Sequence, residues 1–194
     1  MNNLAQLPGE FEVAVAAPPW FPNSAEIELL GRVGLFSPDD ARALRKIWRV
    51  LKGQTDDYLD MVLGMVAAYP ALATALTMLR RESPEGSVDS SATVRLWFRQ
   101  WLFETCFSPH EPSWLKQLYA ELPPDRSAQS LLALLPSYRH LITLSFPLVA
   151  TARTLLAASG LAPPEIERMQ YALLKAILLQ VTLLSKLYVK EGLW

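Results

Sequence analysis

Thiols and imidazoles are scarce in this chain, with one cysteine, Cys106, and two histidines, His110 and His140, among 194 residues. A lone cysteine excludes an internal disulfide, and so few soft donors form no His/Cys metal cluster. No Ser-His-Asp set can be assembled and no glycine-rich phosphate loop is present, so the inventory argues against an enzyme. Neither sign of charge dominates: Lys+Arg is 18 and Asp+Glu 19, for a net charge of -1. The field that steers proteins onto nucleic acid or anionic lipid is therefore missing. Residues Met1 to Glu10 lack the basic flank and apolar run of a secretion signal, which predicts a cytoplasmic protein. The most apolar stretch, Ala172 to Leu184, is broken by Lys175 and Gln180. It falls short of the ~20 apolar residues that cross a bilayer, so no membrane span is expected. Alternating apolar runs bounded by turn dipeptides, internal repeats and low-complexity tracts are absent too, and nothing asks for strands.

What remains is apolar and helical. With 51% hydrophobic residues the chain can bury one good core. The segment through Pro18-Pro19-Trp20-Phe21-Pro22 has prolines too close together for a helix and predicts an extended arm pinned by Trp20 and Phe21. Ser37-Pro38-Asp39-Asp40 marks a helix start, with Ser37 as cap, Pro38 in the first turn and two carboxylates at the positive end of the dipole, and the helix runs to about Leu51. From Asp56 to about Ala68, Leu59, Val62, Leu63 and Val66 define a helical face ended by Tyr69-Pro70, after which a short helix is expected. A loop at Pro84 to Ser87 leads into a stripe of Val94, Trp97, Phe98, Trp101 and Leu102 at core-facing spacing. A short helix from Ser113 to Leu122 is cut by Pro123-Pro124. A long helix from about Ser130 to Ala158 contains Pro147, which frees the Thr143 carbonyl and kinks the rod. Beyond Gly160 and Pro163-Pro164, a last helix to Tyr188 carries Ile166, Met169, Leu173, Ile177, Val181 and Leu184 on one face and Leu174, Leu178 and Leu183 elsewhere. So wide an apolar surface needs two partners.

Several stretches carry a family resemblance. They are Trp101-Leu102-Phe103-Glu104-Thr105-Cys106, Ser113-Trp114-Leu115, Tyr138-Arg139-His140-Leu141, Phe146-Pro147-Leu148-Val149-Ala150-Thr151, and Leu179-Gln180-Val181 through Tyr188-Val189-Lys190-Glu191-Gly192. Together they resemble the protoglobin and globin-coupled-sensor family, over roughly Ser24 to Trp194. The resemblance implies an all-α, globin-like helical sandwich over residues 24–194, an extended N-terminal arm over 1–23, and a kinked, long penultimate helix. It also implies a heme site, and here this chain departs from the pattern. The proximal histidine of the family falls at Asp125, behind Pro123-Pro124. The distal tryptophan and tyrosine fall at Val62 and Leu63, which offer no hydroxyl, while Phe98 matches the distal aromatic.

An apolar slot between Val62, Leu63, Phe98 and the kinked helix, with Trp101, Arg139 and His140 beside it, is the expected ligand site. A collapsed core is the plain alternative. His140 stands where the family has tyrosine and is expected to be an interior or interface histidine; His110, between Pro109 and Glu111, is expected to be a solvated loop residue. Arg95, Arg99, Arg139 and Lys175 are either propionate partners or solvated helix cations. Cys106 is either a small buried hydrophobe or a thioether anchor for a bilin. The functional expectation is a non-enzymatic carrier or regulator that binds a tetrapyrrole (bilin, porphyrin or heme) or a tetrapyrrole-biosynthesis protein. The alternatives are a ligand-free interaction or sensor module and a gas-binding heme globin with an unconventional ligand. A homodimer through the last two long helices is expected in each case.

Overall fold

The computed structural model describes residues 21–69, 90–121 and 138–188. Among them are seven helices and no strand: α1 (Ser24–Val33), α2 (Pro38–Leu51), α3 (Thr55–Ala67), α4 (Ser90–Phe107), α5 (Ser113–Glu121), α6 (Tyr138–Ala158) and α7 (Pro163–Tyr188). Trp20, the short helix expected after Pro70, the loop at Pro84 to Ser87, Pro123 to Asp125, and the first residues of the long helix all lie outside the described residues.

Local chemistry sets the element ends. Asn23 caps α1 by accepting from the Glu26 amide at 2.9 Å. Ser37 and Asp40 form a reciprocal capping box at the start of α2, as the Ser-Pro-Asp-Asp pattern predicts. Gly160, at φ +77, makes the turn between α6 and α7 that a side chain would strain. Inside α6, Pro147 has no amide to donate, and the Thr151 hydroxyl donates to the carbonyls of Pro147 and Leu148 at 2.7 and 3.1 Å.

The body is organised around α7, which packs most extensively on α6 and α2. Ile166, Met169, Leu173, Ile177, Val181 and Leu184 are all buried, as their spacing predicts. Leu183, placed on another face from the sequence, is buried too, because it belongs to a second core with Phe21, Ile27, Leu115, Tyr119, Leu179 and Leu184. Phe21 thus anchors the chain ahead of α1, its ring edge-on to Tyr119 at 5.2 Å. By length and composition alone both α6 and α7 could cross a membrane, with mean hydropathies of 1.6 and 1.3. The run Ala172 to Leu184 is shorter than either whole helix, and a core helix meets the same criterion of length and composition. In this fold α7 turns most of its apolar surface into the core, whereas α6 leaves Ile142 and Phe146 exposed.

Candidate functional site

The slot expected between α3, α4 and α6 is filled. Tyr58, one turn before Val62, is fully buried; its ring stands edge-on to Phe98 at 5.2 Å and its hydroxyl donates to the Leu148 carbonyl at 2.7 Å. Burial raises the Tyr58 pKa, so the phenol stays neutral. Val62 and Phe98 are buried in this packing, but Leu63 is 36% exposed. A residue adjacent to Val62 lies about 100° around the helix, and the buried face of α3 is too narrow to take both.

The aromatic stripe of α4 divides in the same way. Phe98, Trp101 and Leu102 face inward, whereas Trp97 is 53% exposed, correcting its placement among the core-facing residues. Trp101 donates through Nε1 to Gln180 Oε1 at 3.2 Å, and Gln180 in turn donates to Thr105 Oγ1 at 3.0 Å. This satisfied network in the α4/α7 interface holds the register of the two helices. Cys106, a turn further, is buried; burial pushes its thiol up to about 12, which leaves it neutral and sealed from any thioether partner in this packing.

Glu104 was missed as a functional residue, although it lies within the stretch that carries the resemblance. Its buried carboxylate accepts from the Ser113 amide and hydroxyl at 2.5 Å each, and from the Trp114 amide at 3.4 Å. A side chain of α4 thereby caps the N-terminus of α5 and positions Trp114. The only signal in the sequence is an acidic residue in an otherwise apolar stripe.

α4 lies against α2 and α3 and reaches α7, and its Phe98, Trp101 and Leu102 share one core cluster with Ala152 and Leu156 of α6. Two further ring pairs join the helices: Trp97 against Trp114 at 6.4 Å, and Tyr138 of α6 against Tyr188 of α7 at 5.5 Å. Arg139 and His140 follow Tyr138, the first exposed and the second half-buried.

The cations divide sharply. Arg95 pairs with Asp60 at 2.8 Å, and Arg99 binds Thr55 Oγ1 at 3.1 Å and approaches Asp56 at 3.7 Å. Lys175 binds Asp40 and the Leu35 carbonyl, both at 2.9 Å. Burial opposes ionisation of Asp40, but hydrogen bonds from Lys175 and Ser37 hold its carboxyl below the ordinary value. Of the four named cations, Arg139 alone has no ion pair among the described residues.

His110 is not a solvated loop residue. Its ring stands edge-on to Phe36 at 4.7 Å, and its Cε1 lies 3.4 Å from where a Cβ on Gly31 would sit. That engagement lies in the α1/α2 corner, away from the slot between α3, α4 and α6. Described residues contain no group of three or more His, Cys, Asp or Glu able to hold a metal.

A family model described as Protoglobin matches residues 23–194. The chain belongs to the protoglobin family. No curated protein matches it in sequence. Membership makes this a globin-fold, ligand-binding type of protein, and protoglobins typically bind heme. In the expected slot Tyr58 and Phe98 pack on each other, His110 is engaged in the α1/α2 corner, and His140 is half-buried on α6. The proximal position, Asp125, lies outside the described residues.

Proposed function

We propose that this protoglobin is a non-enzymatic carrier or regulator that binds a tetrapyrrole through apolar and aromatic contacts, without histidine ligation of iron. Supporting this reading are family membership, the half-exposed Trp97 edge-on to Trp114 at 6.4 Å, and the exposed Arg139, which has no ion pair among the described residues and can meet a propionate. Burying ~400 Å² of apolar surface at roughly 25 cal/mol per Å² contributes ~10 kcal/mol, against an association cost of ~4 to 15 kcal/mol. Micromolar affinity is within that range without any metal–ligand bond.

The test is parallel absorbance titration with heme, protoporphyrin and biliverdin, with serum albumin as a nonspecific control. Saturable one-to-one shifts that Trp97→Ala weakens about tenfold or more are the expected outcome. Binding insensitive to Trp97→Ala would place the ligand elsewhere.

A second reading, a ligand-free interaction module, is favoured by the closed packing of Tyr58 on Phe98. It gains ground if no tetrapyrrole shifts above the control. Either reading is compatible with a homodimer through α6 and α7. Supporting the dimer are Ile142 and Phe146, one turn apart on α6, and Tyr171 and Leu178, two turns apart on α7, all exposed. A cleft of about 440 Å³ between the two helices, lined by Val149, Arg153, Glu167, Gln170, Tyr171 and Leu174, gives that face relief into which a second copy can key.

A further inference from the structure

Three aromatic rings pack together on the surface where α2 ends beside α4. Trp48 stands edge-on to Phe103 at 5.2 Å and to Phe107 at 6.5 Å, and the two phenyl rings stack at 4.7 Å. The core takes only part of them: Phe103 is 38% and Phe107 44% exposed, and Trp48 is half-buried. Scattered exposed apolar side chains are ordinary, but a contiguous cluster marks a surface that another molecule covers. The same stretch of α2 carries a row of cations. Arg45, Arg49 and Lys52 follow at i, i+4 and i+7 with Trp48 among them, so all four share one side of the helix. None of the three cations has an ion pair or hydrogen bond among the described residues, whereas their neighbours do: Arg42 pairs with Asp39, and Lys46 with Glu165 at 2.6 Å. The acids closest in sequence to the patch are committed elsewhere, Asp40 to Lys175, Glu104 to Ser113 and Glu111 to Lys116. Complementing the helix dipole accounts for Arg49 and Lys52 at the end of α2, but not for Arg45 further back or for the open rings.

We propose that this face docks an acidic amphipathic helix of a partner protein, its apolar side chains on the rings and its carboxylates on Arg45, Arg49 and Lys52. The proposal goes beyond tetrapyrrole binding and does not depend on it. Tryptophan and arginine are the residue types that dominate protein interfaces. The unpaired charges here are of one sign on a chain whose net charge is -1, so the complement is acidic. Helices α2 and α4 satisfy their backbone groups internally and offer no strand edge, so a docked segment must satisfy its own, as a helix does. Nucleic acid is disfavoured, because Phe103 and Phe107 turn their faces to each other and leave no platform for a base. Three cations are too few to hold an anionic bilayer unaided.

Fluorescence anisotropy on the full chain tests this with a labelled helical peptide of about 18 residues, leucine and phenylalanine at i, i+3, i+4 and i+7 and glutamate on the flanks. A second peptide carries lysine in place of glutamate. The glutamate peptide is expected to bind saturably and one to one, about tenfold more tightly than the lysine peptide, and to weaken about three- to tenfold between about 50 and about 500 mM salt. Arg49→Glu is expected to weaken the glutamate peptide about tenfold and to strengthen the lysine peptide, while Phe107→Ala weakens both about threefold or more. Both positions are exposed, and retained helical circular dichroism separates lost docking from lost fold. Absence of saturable binding, equal affinity for the two peptides, or affinity untouched by both substitutions overturns the proposal. Binding of phosphatidylserine vesicles or oligothymidylate in place of the peptide, abolished by Arg49→Glu, overturns it as well and gives the face to a lipid or a nucleic acid. No probe is a tetrapyrrole, so failure here leaves the tetrapyrrole reading as it stands.

Discussion

His110 shows how a single side chain can couple this fold to pH. Burial against Phe36 and Gly31 lowers its pKa from the ordinary 6.5, with Glu111 pulling the other way. The folded state therefore binds the proton more weakly than the unfolded chain. Its contribution to stability is complete above about 6.5 and is lost as pH falls through the lowered folded value. The urea midpoint is expected to fall between about pH 7 and about pH 5, and His110→Phe is expected to flatten that slope. Equal slopes in the two proteins would remove His110 from this role. Pro109 and Glu111 on either side suggest solvent, and the burial comes from partners in the α1/α2 corner that no local pattern reveals.

Among the helices, α5 depends most visibly on a neighbour for its starting point. Its first amides and the Ser113 hydroxyl are met by Glu104 of α4, so the cap that α2 supplies for itself through Ser37 is supplied here across the fold. Glu104→Ala leaves those donors unmet in a buried place, and a loss of about 1–3 kcal/mol in urea unfolding is expected. A change below about 0.5 kcal/mol would mean that water takes over the capping. The contrast between the two caps explains what could be read locally. Ser37, Pro38 and Asp40 lie within one turn and announce α2 in the sequence, whereas the residues joining α5 to α4 belong to different helices. Trp97 and Leu63 teach the same lesson about faces. Each sits beside a buried residue in a stripe, and only the neighbours of the helix decide how wide a face is covered.

For the molecule as a whole, the long helices α6 and α7 carry both core and surface. Phe146 is 74% exposed in the middle of α6, and with Ile142, Tyr171 and Leu178 it forms the face assigned to a second copy. Sedimentation at tens of micromolar is expected to report a dimer, and Phe146→Asp is expected to shift it to monomer while retaining the helical circular dichroism. A wild-type monomer under those conditions would refute the dimer. Because Phe146 makes no part of either core cluster, dissociation and unfolding can be told apart in the same sample.

The order and character of α2 to α7 were legible in the sequence, whereas α1 was not read from it. Cap residues, proline positions and helical spacing act over one or two turns, and Ser37, Pro147, Gly160 and the α7 stripe all work within that range. Resemblance in the stretches around Trp101, Trp114 and Tyr138 named the family. Tertiary structure alone decided the candidate site. That Tyr58 occupies the expected slot and that Arg95, Arg99 and Lys175 are engaged by Asp60, Thr55 and Asp40 are outcomes of packing between distant helices. Periodicity determines which residues can face inward; only the facing surfaces determine what they meet, and the chemistry of a site consists of those meetings.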